Sequence, residues 1–288
     1  MENNETHAAE KESRRRHGRA GVIACVVNHL TGLMTTIANS WINTFGARPQ
    51  ARLRLFCFPY AGGSAAVYRP WLKHLPAGVE ICAVELPGRG ARLRESPFQQ
   101  LTPLVQAAAA GLRPFLDKPF AFFGHSLGGL LAFEVVRLLR RHGCEPLHLF
   151  VSSRRAPHLP ENDPPIHHLP ASAFVAEVGN RYNGIPRAVH DSPELLQLLL
   201  PVMRADFAVF ESYVYEPAEP LACPISVFGG RADQRVTQEH LAGWREHTRS
   251  SCTLRLFDGG HFYWQDDVIR SALLAAIVQE LQPWLNGR

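Results

Sequence analysis

A serine, a histidine and an aspartate stand in this sequence where a chain can assemble an acyl-transfer site. Ser126 is the centre of Gly124-His-Ser126-Leu-Gly128, which an apolar run from Phe120 to Phe123 enters and a helical pattern from Leu130 onward leaves without a gap. Strand, Gly-x-Ser-x-Gly turn and helix in that order predict a nucleophile elbow. Gly124 and Gly128 leave room for a sharp turn that holds the Ser126 hydroxyl clear of the sheet. The flanking strand and helix argue against a Ser/Gly turn that merely connects two elements.

A serine hydroxyl is a weak nucleophile at neutral pH, so it needs a base within hydrogen-bond reach and an acid to orient that base. On elbow-bearing folds the chain order is serine, acid, histidine. Of the 14 histidines, His261 is the best placed, in Asp258-Gly-Gly-His261-Phe-Tyr-Trp just past a strand-like run. His125 adjoins the nucleophile but points elsewhere from an elbow, and His158, His167 and His168 lie at or near the start of an insertion. The expected acid is Asp233, in Gly229-Gly-Arg-Ala-Asp233 at the end of another strand. Asp258 suits its turn better, and Asp163 and Glu161 follow a strand that empties into Ser-Ser-Arg-Arg. An oxyanion needs two preorganised N–H donors. One is expected from Leu127, at the start of the elbow helix; the other comes from the Pro59 to Ser64 loop, where Ala61 and Tyr60 are both candidates.

The elements that must carry these residues alternate along the chain. Strands are predicted over 52–58, 79–85, 120–123, 147–153, 225–228 and 253–257, and helices over 65–75, 101–116, 130–138, 237–246 and 267–285. Short apolar runs alternating with helices predict a mostly parallel central sheet with helices on both faces, and a site beyond the strands' carboxyl ends. Residues 157–217 break the alternation with two helical patterns, 171–180 and 193–213, joined by Tyr182 to Arg187. An insertion there is expected to cover the site as a helical lid.

With 288 residues, 46% hydrophobic and 19% charged, the chain reads as an ordinary globular protein with a sizeable core. A net charge of +4, scattered beyond the N-terminus, gives no argument for nucleic acid. The six cysteines show no C-x-x-C pair and no ligand spacing with histidine. Free thiols in a reducing cytoplasm and no metal are therefore expected. Residues 1–33 differ from the rest: Arg14 to Arg16 precede an uncharged stretch, as in an export signal or membrane anchor. Asn28, His29, Thr31, Thr35, Thr36 and Asn39 interrupt it, so no membrane segment is expected. A poorly ordered extension with Met34 as the natural start, followed by one domain over 34–288, is the preferred reading.

Phe56-Cys-Phe-Pro-Tyr-Ala-Gly-Gly-Ser64, Glu85-Leu-Pro-Gly-Arg-Gly90, Gly124-His-Ser-Leu-Gly-Gly129, Arg204-Ala-Asp-Phe207 and Gly259-Gly-His-Phe262 together resemble the type II thioesterases of polyketide and nonribosomal peptide synthesis. The resemblance spans nearly all of Trp41 to Leu285. It implies an α/β-hydrolase fold and an editing serine thioesterase that removes acyl or aminoacyl groups from the phosphopantetheine arm of carrier domains, without a cofactor of its own. It gives Ser126, Asp233 and His261 the triad roles and the Ala61 and Leu127 amides the oxyanion hole. Phe174, Val175, Leu199 and Phe207 are candidates for the channel wall, though each suits lid core equally well. Arg89, Arg92 and Arg94 lie on a loop that could face an acidic carrier domain, although exposed arginines are more often plain solvated surface. A small-molecule carboxylesterase or lipase, an acyltransferase and a non-catalytic binding protein are the competing functions.

Overall fold

The computed structural model describes residues 40–161, 163–182 and 192–286. The expected extension over 1–33, Met34 and positions 183–187 of the link between the two insertion helices lie outside the described residues. The chain runs β1 (Ile42–Asn43), β2 (Leu53–Phe58), β3 (Val79–Val84), α1 (Leu101–Leu112), β4 (Phe120–His125), α2 (Leu127–Arg140) and β5 (Leu149–Ser152). It continues through α3 (Ala171–Tyr182), α4 (Pro193–Glu211), β6 (Ile225–Gly230), α5 (Gln238–Ala242), β7 (Cys252–Phe257) and α6 (Asp267–Leu285). The seven strands form one sheet in the order β1-β3-β2-β4-β5-β6-β7, with only β1 antiparallel to its neighbour. This is the mostly parallel α/β architecture that the alternation predicts.

Side chains of successive strand residues enter different cores. Phe56, Phe58 and Phe122 pack on one face with Leu130 and Val135 of α2, while Leu55, Cys57 and Phe123 pack on the other with Trp71, Trp264 and Ile277. Burial on both faces is why these strands read as unbroken apolar runs and not as an alternating pattern. From β2 the chain moves outward to β3, then returns to β4 on the other side of β2. The carboxyl ends of β2 and β4 thus flank the switch point of the sheet, where such folds open a crevice.

Three elements depart from expectation. The segment Ala65–Lys73 is a 3₁₀ helix and not an α-helix, with Pro70 inside it; proline lacks the N–H an α-helical ladder needs there. The helix predicted over 237–246 divides into α5 and a 3₁₀ turn, Gly243–His247. Strand β1 was not expected, because two residues show no periodicity; the Ile42 to Val84 pairing on the sheet edge defines it. Cys57, Cys82, Cys223 and Cys252 are free thiols, but Cys144 is disulfide-bonded, against the expectation of free thiols throughout. Cys25 lies outside the described residues. Among the described residues no helix is long and apolar enough to cross a membrane.

Two structural histidines predict the acid response. His148 is buried with Nε2 2.9 Å from the Ser226 hydroxyl, and burial pushes its pKa down to about 3. His247 falls to about 4 through burial first, then the charges of His158 and Arg137. Both depressions mean that the unfolded chain takes up protons near pH 6.5 and the folded chain does not. Stability is complete above that pH and falls as the pH drops toward 4. The melting temperature should therefore decline between pH 7 and pH 5, above the ordinary carboxylate range; a flat profile there would contradict these assignments.

Candidate active site

Ser126 stands between β4 and α2 with φ 55° and ψ −117°, a backbone conformation that residues with a Cβ avoid. Its amide donates to the Ser152 carbonyl at 2.8 Å, which ties the turn to the end of β5. The flanking glycines are required by space. A Cβ on Gly124 would stand 2.1 Å from the Gly128 carbonyl oxygen, and one on Gly128 would stand 2.1 Å from that of Phe58. The elbow helix can approach the end of β4 and the chain at Phe58 and Pro59 only because those atoms are absent.

His261 and Asp233 meet beside this turn. His261 Nδ1 lies 2.8 Å from Asp233 Oδ2, and both side chains are almost wholly buried. Asp233 Oδ1 accepts from the Arg235 and Val236 amides at 2.9 and 3.1 Å, so the carboxylate is held at both oxygens. A carboxylate only accepts, so Nδ1 carries a proton, and in the neutral ring this leaves Nε2 as the nitrogen with the lone pair. Ser126 and His261 line one cavity together with Tyr60 and Ala61. Among the described residues the Ser126 hydroxyl is not hydrogen-bonded to His261; such bonds commonly tighten only when substrate is bound. The rival acids are engaged elsewhere: Asp258 faces solvent beside Arg231, Asp163 pairs with Arg235, and Glu161 lies 3.5 Å from Arg155.

The Pro59 to Ser64 loop is held from an unexpected direction. Gly62, at φ 77°, donates its amide to Asp206 Oδ2 of α4 at 2.7 Å. Arg89 grips the same carboxylate with two bonds of 2.6 and 2.7 Å and donates to the Gly63 carbonyl at 3.2 Å. The Gly63 amide is taken by the Tyr60 carbonyl. The Ala61 and Leu127 amides donate in none of the loop and cap bonds of the described residues. Arg89 and Arg92 are neither solvated surface nor free to face a carrier domain. Arg89 is buried against Asp206, and Arg92 is buried under the Trp41 ring and paired with Glu95; Arg94 is exposed. The only sequence signal for Asp206 is its place in Arg204-Ala-Asp-Phe207.

A second serine and histidine lie close together below the elbow. His125 Nδ1 is 2.9 Å from Ser152 Oγ, which is 2.7 Å from the Tyr263 hydroxyl, and the Trp264 indole N–H donates to the same His125 nitrogen at 3.0 Å. Burial, then the neighbouring His261, holds His125 well below the usual histidine range. Both His125 and Ser152 are fully buried, so substrate does not reach this pair. It anchors the loop after β7, which carries His261, onto the ends of β4 and β5.

Helices α3 and α4 close the cavity with Val178, Tyr182, Met203, Phe207 and Phe210. Of the four residues expected at a channel wall, Phe207 lines it. Phe174 is fully buried against the Phe207 ring, and Val175 and Leu199 are not in the lining. The space is about 40 Å³, enough for a few water molecules. Among the described residues no group of three or more His, Cys, Asp or Glu side chains is placed to hold a metal.

Comparison with known proteins places this site in a family. Residues 53–280 match the family model of the thioesterase domain. Linear gramicidin dehydrogenase LgrE of Brevibacillus parabrevis is 41% identical over 251 residues, covering 86% of this chain and 94% of that protein. The RedJ thioesterase of the prodiginine pathway in Streptomyces coelicolor shares 40% identity at a TM-score of 0.77, over 82% of this chain and 92% of RedJ. The type II thioesterase BorB of the borrelidin biosynthetic cluster shares 35% identity at a TM-score of 0.75, over 84% and 97%. The dehydrogenase in the name of LgrE stands apart from the other two descriptions. The chain belongs to the thioesterase family, and within it to the type II thioesterases of nonribosomal peptide and polyketide biosynthesis, hydrolases on the α/β-hydrolase fold.

Proposed function

We propose that this protein hydrolyses acyl and aminoacyl thioesters carried on the phosphopantetheine arm of synthetase carrier domains, with Ser126 as nucleophile, His261 as base and Asp233 as its orienting acid. The observation that carries this reading is the Asp233–His261 pair at 2.8 Å beside an elbow serine on the same cavity. His261 Nε2 takes the Ser126 proton as Oγ attacks the thioester carbonyl. The developing oxyanion collects on the Ala61 and Leu127 amides, helped by the positive end of α2. The carbon–sulfur bond then breaks, and His261 returns the proton to the departing thiol. Water attacks the acyl-enzyme with the same base, releasing the free acid and restoring Ser126.

Helices α3 and α4 act as a lid in this reading. A space of about 40 Å³ does not hold an acyl chain and a pantetheine arm together, so they shift for substrate to enter. The test compares an acetyl-loaded carrier domain with a soluble nitrophenyl acetate of the same acyl group. The carrier-bound thioester should be cleaved with the higher kcat/KM. A preference for the soluble ester would favour a carboxylesterase, and diversion of product to a conjugate on adding an alcohol or amine would favour an acyltransferase.

A further inference from the structure

The cavity wall near Ser126 carries one more positive charge than it neutralises. Arg154, Arg155 and Arg235 all line it. Arg155 is matched by Glu161 and also donates to the Pro160 carbonyl, and Arg235 is matched by Asp163. The Arg154 guanidinium has no hydrogen-bond or ion-pair partner among the described residues, and its Nε is buried without a partner. The residue is only 9% exposed. The Phe210 ring lies 5.7 Å from Cζ.

The position of this side chain is well defined. The Arg154 carbonyl accepts the Trp244 indole N–H at 2.7 Å. Arg154 Cβ lies 3.2 Å from where a Cβ on Gly129 would stand, and Gly129 is in the first turn of the elbow helix. The Arg154 side chain therefore leaves the backbone beside the first turn of the elbow helix and lines the same cavity as Ser126. Arginine keeps its charge in proteins. Burial draws its pKa down, and the nearby Glu161 opposes that without pairing with it. A buried charge without a partner destabilises a fold. Such a group is kept where a ligand completes it, at a cost in stability.

We propose that Arg154 recognises the acyl part of the substrate, donating to an oxygen acceptor that the chain carries beyond its thioester carbonyl, and so favours oxygenated acyl groups over plain alkanoyl ones. The acceptor is a keto or amide carbonyl or a carboxylate, which present the same chemistry to a guanidinium. This inference rests on the thioesterase reading of the Ser126 site.

The test loads a carrier domain with butyryl, acetoacetyl or malonyl groups and measures kcat/KM for the wild type, Arg154→Met and Arg154→Lys. On acetoacetyl, Arg154→Met should lose on the order of 10- to 100-fold, with butyryl changed by less than about threefold. Arg154→Lys should recover part of the loss. The malonyl arm separates the two sources of oxygen: a selective loss there adds carboxylates to the accepted class, and none confines it to neutral carbonyls. The melting temperature of Arg154→Met should equal or exceed that of the wild type, since a lone buried charge is gone. An equal loss on all three substrates, or no loss on acetoacetyl, overturns the proposal. If the wild type cleaves none of the three, the thioesterase reading itself fails and takes this proposal with it; cleavage of butyryl alone fails only Arg154.

Discussion

Ser126→Ala is expected to lower turnover of an acyl-carrier thioester by about 10⁴-fold or more, with the melting curve unchanged. Alanine keeps the Cβ and the strained φ of 55°, so the substitution removes the oxygen and little else. Residual turnover would come from the oxyanion amides and from binding. Asp233→Asn should fall by about as much, because an amide favours the wrong tautomer of His261. Ser152→Ala provides the contrast. Its hydroxyl is fully buried with His125, so the loss there should stay within about tenfold, the scale of one hydrogen bond in a supporting network. A Ser152 variant as inactive as the Ser126 variant would move the nucleophile assignment to the lower pair.

Asp206→Ala should damage both stability and activity. The Arg89 guanidinium, almost fully buried, would lose both of its short bonds, and breaking a buried pair from one side costs about 3–5 kcal/mol. The Gly62 amide would lose its acceptor as well, which frees the loop that carries Ala61. Misplacing an oxyanion donor costs roughly 10²-fold or more in turnover. The double variant Arg89→Met/Asp206→Leu separates the two effects, since an apolar pair of similar volume replaces a buried ion pair with little loss. It should regain most of the stability and little of the activity. Full activity in the double variant would show that Asp206 supports only the fold and not the oxyanion loop.

Much of this molecule was legible in the sequence, for physical reasons that also explain what was not. Strands buried on both faces, such as Val79–Val84, read as apolar runs, and glycines forced by close approach marked the elbow at Gly124 and Gly128. The meeting of His261 and Asp233 was legible because each follows a strand on a glycine-rich loop, at the end of the sheet where Ser126 stands. Long-range polar pairing leaves no such trace. Arg89 looked like a surface charge because arginines on loops are usually solvated; its partner Asp206 is 117 residues away on an insertion helix. Arg154 showed only as one of two arginines after a strand. Its isolation became visible once its neighbours were seen to be paired elsewhere. The lid residues Val178, Tyr182, Met203 and Phe210 follow helical spacing, which cannot tell a cavity wall from a core.

The central claim is that Ser126 accepts the acyl group from a carrier-bound thioester and His261 passes it to water. Intact-mass and peptide mass spectrometry of an acetyl-loaded carrier domain, incubated with the wild type, Ser126→Ala and His261→Ala, measures this directly. The account predicts rapid loss of the acetyl group with the wild type, retention with Ser126→Ala, and, with His261→Ala, slow transfer that leaves any acyl adduct on the peptide containing Ser126. Loss of the acetyl group at the same rate with Ser126→Ala as with the wild type, or an adduct on any other residue, would contradict it.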